Sequence, residues 1–109
     1  MASLILGSQG QIGSALSKFL KINGEEVIEF YIERNSYEDL RITDNQLLKN
    51  HLEKVSFVYF LAFDVGGSNY LKSYQHSYEF LSNNIKIMEY TFAELKKKNP
   101  FYFCIKSNV

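Results

Sequence analysis

Glycines stand at positions 7, 10 and 13, immediately after a short apolar run, Leu4 to Leu6. Around and beyond them Ile12, Ala15, Leu16, Phe19 and Leu20 recur at helical spacing. Strand, glycine turn, helix is an order that can hold phosphate. Gly7 permits a tight turn, Gly10 lets backbone approach the ligand with no Cβ in the way, and Gly13 lets the helix pack close to the strand. The first N–H groups of a helix have no partner within it, and its dipole favours negative charge there. The expected chemistry is capture of a dinucleotide pyrophosphate, with NAD or NADP as the cofactor. The stretch from Gly7 through Gln9, Gly10, Gln11 and Ile12 to Gly13 forms the cradle. An ordinary glycine-rich turn that binds nothing is the alternative.

A second group of residues fits the same ligand. In a dinucleotide fold the second strand ends beside the adenosine ribose, where an acidic residue accepts from the 2′-hydroxyl. Glu33, twenty residues after Gly13, is in that place. Arg34 beside it would instead attract a 2′-phosphate, so the two pull in opposite directions. Solvated loop charges are the alternative for both. His51 and His76 have no second ligand at metal-binding spacing, so both are expected on the surface and no metal site is expected.

These residues need elements to position them. A helix over residues 11–22 should stop at Asn23-Gly24. Residues 26–32 read as the second strand and residues 39–42 as a very short third one. Thr43 and Gln46 have capping-box spacing and should open a helix carrying Leu47, Leu48 and Leu52. The almost continuously apolar run 55–63 reads as a strand buried on both faces. It leads into Asp64-Val65-Gly66-Gly67-Ser68, at the carboxyl end of a strand where ligands of open α/β sheets sit. A long helix over 74–98 carries Tyr78, Leu81, Ile85, Met88, Phe92 and Leu95 on one stripe, which reads as core packing or a helix–helix seam. Its Glu94 and Lys96–Lys98 read as a solvated end. Asn99-Pro100 breaks it, and 101–105 is a last buried strand. The fold class is therefore α/β, a Rossmann-type doubly wound parallel sheet of order 3-2-1-4-5.

Composition bounds the rest. A chain of 109 residues, 46% hydrophobic, is enough for one domain. Twelve basic and twelve acidic residues cancel, so there is no electrostatic case for nucleic acid or an anionic membrane surface. The single Cys104 cannot form an internal disulfide, and no apolar run approaches membrane-spanning length. A cytoplasmic setting is expected.

Several segments now match one family in register. Gly7-Ser-Gln-Gly10-Gln-Ile-Gly13 resembles the cofactor turn of the NAD-dependent epimerase/dehydratase family, the extended branch of the short-chain dehydrogenases/reductases. Asp39-Leu40 is similar to its Asp-Leu pair, whose carboxylate sits near the adenine. Val58 to Phe63, with Leu61 and Ala62, resembles its fourth strand, and Val65-Gly66-Gly67 looks like the following loop of GDP-fucose synthases. Asn84 falls where the family has an asparagine in the long helix. Phe103 to Ser107 looks like the fifth strand leading to the catalytic serine.

The resemblance implies hydride exchange between a nicotinamide cofactor and the carbon of a nucleotide sugar, with Ser107 as a catalytic residue. Phe63 replaces a small residue on the cofactor side, and Tyr31 stands where many NAD-users carry Asp. The family's Tyr-x-x-x-Lys acid/base pair lies beyond strand five, so the chain is expected to lack it, along with the substrate lobe. It reads as a truncated cofactor-binding portion of such an enzyme. The alternative is a non-catalytic dinucleotide-binding sensor or scaffold. A sheet cut after its fifth strand would leave an edge that favours association into a homo-oligomer.

Overall fold

The computed structural model describes residues 2–31, 34, 36–62 and 77–98, and the backbone of 101–104. Among the described residues four strands are joined by helices: β1 (Ala2–Leu6), α1 (Gln11–Ile22), β2 (Glu26–Phe30), α2 (Gln46–Leu52), β3 (Phe57–Phe60), α3 (Tyr78–Lys98) and β4 (Phe101–Cys104). All pairings are parallel, in the order β2-β1-β3-β4. The chain winds one way from β1 to β2 and the other way from β1 to β3. The point of reversal is therefore the carboxyl end of β1, where open α/β sheets form a crevice.

Side-chain alternation assigns the two faces. Leu4 and Leu6 of β1 join Val58 and Phe60 of β3 on one face, in a core with Leu48 and Leu52 of α2 and Ile87 and Leu95 of α3. Phe92 stacks on Phe60 at 5.2 Å between ring centres. On the other face, Glu29 of β2 pairs in register with Ile5 and accepts a hydrogen bond from Ser17 of α1 at 2.8 Å. That bond and the nearby Lys21 ammonium hold the Glu29 carboxyl below its usual range. The helices thus cover both faces, as a doubly wound sheet requires.

Helix α1 has the expected bounds. Asn23 ends it, its side chain donating to the Phe19 carbonyl, and Gly24 follows at φ 80°. Strand β3 ends at Phe60 although the apolar run continues through Leu61 and Ala62, because its ladder with β1 ends there.

Four expectations are corrected. Residues 39–42 form no strand. A 3₁₀ turn over Ser36–Glu38 is followed by a tight turn in which the Asp39 carboxylate accepts from the Arg41 N–H at 2.9 Å and the Asp39 carbonyl from Ile42 at 3.2 Å. The aspartate side chain offers the backbone a local partner in place of a ladder. Helix α2 is capped by Asn45, not Thr43. Asp44 adopts φ 57°, which breaks any helix starting at Thr43, and Asn45 Oδ1 accepts from Leu48 at 3.0 Å.

The stripe on α3 divides. Leu95 is buried and Phe92 partly so, while Tyr78 is 83% and Ile85 58% exposed, and Leu81 and Met88 are exposed too. The face turned to the core in the middle of the helix is instead that of Ile87, Thr91 and Leu95. Glu94, expected in solvent, is buried, with the Lys97 ammonium at 3.2 Å and Lys49 at 3.9 Å.

Candidate functional site

The glycine turn lies at the point where the winding reverses. Gly7 leaves β1 at φ 90°, a conformation other residues adopt only with strain. Space adds a second demand, since a Cβ there would stand 2.9 Å from the Ala62 Cα and from the Leu61 carbonyl carbon. The segment after β3 therefore backs directly onto the turn, and Leu61 N–H donates to the Leu6 carbonyl at 2.9 Å. Leu61 and Ala62 thus act through close backbone packing.

Gly13 is buried in the first turn of α1. A Cβ on it would stand 2.9 Å from the Ser8 Cα and closer still to the Gly7 carbonyl oxygen. Gly10 differs: among the described residues its Cβ position meets the Gly7 oxygen alone, at an ordinary 3.6 Å. Gly10 is also the N-cap of α1, where no side chain caps the helix and no acidic residue occupies the first turn. The N–H groups that open a twelve-residue helix are left for a ligand. Gln9, Gln11 and Ile12 are exposed around this opening. The Ser8 hydroxyl, buried in the same turn, has no hydrogen-bond partner among the described residues. Among the described residues, a glycine turn at a helix N-terminus with no acidic residue in the helix's first turn fits a pyrophosphate.

The end of β2 leans on this turn. The Phe30 carbonyl accepts from Gly7 N–H at 2.8 Å and from Ser8 N–H at 3.5 Å. Just beyond, Arg34 is tied down. Its Nε donates to Glu38 Oε1 at 2.6 Å, and its Nη2 to Glu38 Oε2 at 3.0 Å and to the Glu29 carbonyl at 2.5 Å. The guanidinium carbon lies 4.9 Å from the centre of the Tyr31 ring. The pairing with Glu38 raises the Arg34 pKa further. Glu38, only 4% exposed, also accepts from the Tyr31 N–H at 2.7 Å. The sequence does not single out Glu38, because its pair with Arg34 is made by the fold at the end of β2 and not by spacing on a helix face.

The remaining expected residues have partners of their own, are buried, or lie outside the described residues. Both Asp39 carboxylate oxygens are engaged by the Arg41 guanidinium, at 2.9 and 2.8 Å, and Leu40 is a core residue. The Asn84 amide donates to the Phe80 carbonyl one turn back in α3. Glu33, Phe63, the 64–68 loop, His76 and Ser107 lie outside the described residues. His51, expected on the surface, is partly buried: its ring meets Phe30 edge-on at 6.2 Å, its Nδ1 is buried without a partner among the described residues, and that burial lowers its pKa.

A Tyr-x-x-x-Lys spacing does occur once, from Tyr102 to Lys106, and corrects the expectation that the chain lacks it. Tyr102 lies in strand β4, and Lys106 lies outside the described residues.

Residues 3–107 match the family model described as the NAD dependent epimerase/dehydratase family. The chain belongs to that family. No curated protein matches it. Among solved structures it resembles DdhaC (TM-score 0.75, 19% identity) over 98% of this chain and 30% of that one. It also resembles the UDP-rhamnose synthase L780 of Acanthamoeba polyphaga mimivirus (0.74, 22%) over 99% of this chain and 37% of that one. A GDP-L-fucose synthetase of Naegleria fowleri, solved with NADP bound, matches with TM-score 0.69 and 17% identity over 99% of this chain and 34% of that one. At these identities the likeness establishes the fold, and the epimerase-family chain spans about a third of each structure's length. Its cofactor class is the nicotinamide dinucleotide of the family description. Among the described residues no helix is long and apolar enough to cross a membrane.

Proposed function

We propose that residues 1–109 are the NAD(P)-binding portion of a nucleotide-sugar epimerase, dehydratase or reductase, working in the cytoplasm. The observation that carries this reading is the uncapped N-terminus of α1 opening onto a turn in which glycine is required at 7 and 13 and open at 10. Gly7, Gly10 and Gly13, with the backbone of Gln9, Gln11 and Ile12, would hold the pyrophosphate. The end of β2, with Glu33 and Arg34, would face the adenosine ribose. Asp39 and Leu40 would border the adenine, Ala62 and Asn84 the far side of the cofactor, and Ser107 the substrate. The bound cofactor supplies hydride exchange with a sugar carbon. These residues supply its binding and orientation. Association into a homo-oligomer belongs to the same proposal, supported by the exposed apolar residues of α3.

A titration of the purified chain with NAD and NADP by calorimetry tests the reading. Binding that Gly10→Val abolishes supports it, and absence of binding to either dinucleotide overturns it. The 109 residues alone should turn over no substrate, because general acid–base assistance contributes about 10²–10⁴-fold and the only Tyr/Lys spacing starts in a strand. Turnover of 4-keto or 4-hydroxy sugar nucleotides that Ser107→Ala abolishes would contradict that part.

A further inference from the structure

Helix α1 carries more apolar side chains than its packing uses. Gly13, Ser17 and Leu20 are its buried residues, and Leu16 is half-buried. Two bonds to β2 fix its rotation: Ser17 Oγ donates to Glu29 Oε1 at 2.8 Å, and Lys21 Nζ donates to the same oxygen at 3.3 Å. On the flank turned away from Lys21 stand Ile12, Ala15, Phe19 and Ile22. All four are exposed, the three large ones at 56, 62 and 74%. Their steps of three, four and three make one stripe about 15 Å long, the a/d pattern of a helix pair. A single exposed apolar residue is ordinary, but four aligned over three turns mark a contact surface. Extending the sheet would not cover them. Crossovers between parallel strands are right-handed, so one running outward from β4 would lie on the α2–α3 face, as the crossover from β3 to β4 does.

The stripe is complementary to itself. About a two-fold axis level with Ser17, antiparallel copies of α1 would set Ile12 opposite Ile22 and Ala15 opposite Phe19. Each ring would then meet the smallest side chain of the stripe. Antiparallel pairing also opposes the helix dipoles, and twelve basic and twelve acidic residues leave no net charge to hold two copies apart.

We propose that the exposed flank of α1 is the seam of a homodimer, packed antiparallel on α1 of a second copy of this chain. The inference rests on the homo-oligomer reading above and deepens it by naming a seam other than α3. One aromatic side chain buries about 150–250 Å², and the four residues together fall short of the roughly 800 Å² a side of a standard interface. The dimer is therefore a weak one, with a dissociation constant in the micromolar range or above.

Sedimentation equilibrium over a range of about 5 to 500 µM tests the seam, a range that brackets weak association. The samples are the wild-type chain, Phe19→Lys, Ala15→Phe, the exchange Ala15→Phe/Phe19→Ala, and Ile85→Lys, with circular dichroism to confirm folding. Wild type should associate reversibly to a dimer. Phe19→Lys puts two charges into the seam and should weaken it at least about tenfold, the scale of a lost hot spot. Ala15→Phe removes the space that Phe19 enters and should weaken it about as much. The exchange restores one large and one small residue per layer, and association should return to within about threefold of wild type. Ala15 is exposed, so its variant decides the matter if Phe19→Lys does not fold. Ile85→Lys, on α3, should leave the dimer as it is. A dimer dissolved by Ile85→Lys and untouched by Phe19→Lys would overturn this seam and keep the homo-oligomer reading. A dimer that survives both Phe19→Lys and Ala15→Phe would do the same. A wild type that stays monomeric throughout would overturn both and assign the flank of α1 to another polypeptide.

Discussion

The carbonyl oxygen of Gly7 occupies the space in which a side chain on Gly13 would begin. This places the last residue of the turn's entry and the first buried residue of α1 in backbone contact, which brings the helix axis close to β1. Substitution at the two other faces of the turn should therefore separate folding from binding. Gly13→Ala is expected to destabilise the chain by about 1–3 kcal/mol, as overpacking does. Gly10→Ala has room for its methyl and should cost less than about 1 kcal/mol as an N-cap change, yet lose dinucleotide affinity. Urea unfolding alongside cofactor titration checks both, and equal stability losses would contradict the packing argument.

Asn45 joins the start of α2 to the turn before it. Its Oδ1 caps Leu48, and its Nδ2 donates to the carbonyls of Tyr37 and Asp39 at 2.9 and 3.0 Å. Asn45→Ala should lower stability by about 1–2 kcal/mol, within the range for caps, and Thr43→Ala, at an exposed position, by less than about 0.5 kcal/mol. A larger loss at Thr43 than at Asn45 in chemical denaturation would restore the capping-box reading.

The two ends of the α3 stripe should respond in opposite ways. Ile85→Lys is expected to leave stability within about 0.5 kcal/mol, as an exposed substitution does. Leu95→Ala removes a side chain 1% exposed against the core and should cost about 2–5 kcal/mol. Thermal melts of the two variants at low protein concentration give the comparison.

His51 makes stability depend on pH in a stated direction. Burial lowers its folded pKa below the ordinary 6.5, so the unfolded chain takes up a proton before the folded one does. Stability should therefore fall as pH drops below 6.5, down to the folded pKa. Urea midpoints at pH 7.5 and 5.5 should differ less in His51→Gln than in the parent. An unchanged difference would assign the acid sensitivity to other groups.

What could be read without the fold follows from local rules. Three glycines after an apolar run, an amphipathic helix and its Asn-Gly stop depend on near neighbours, so α1 and the turn were legible residue for residue. The parallel sheet was legible too, because buried strands must be apolar on both faces. Where two local signals competed, tertiary structure chose between them. Asp39 turned the backbone with its own carboxylate, and Asp44 moved the cap to Asn45, although Thr43 and Gln46 kept the expected spacing. Periodicity marked the apolar stripe of α3, yet it cannot say what covers each part of it; packing against α2 and the sheet buried Ile87 and Leu95 and left Ile85 in solvent. The state of Arg34 was the least legible of all. Which carboxylate a guanidinium meets is not written in its neighbours, and only the folded chain brings Glu38 under the end of β2.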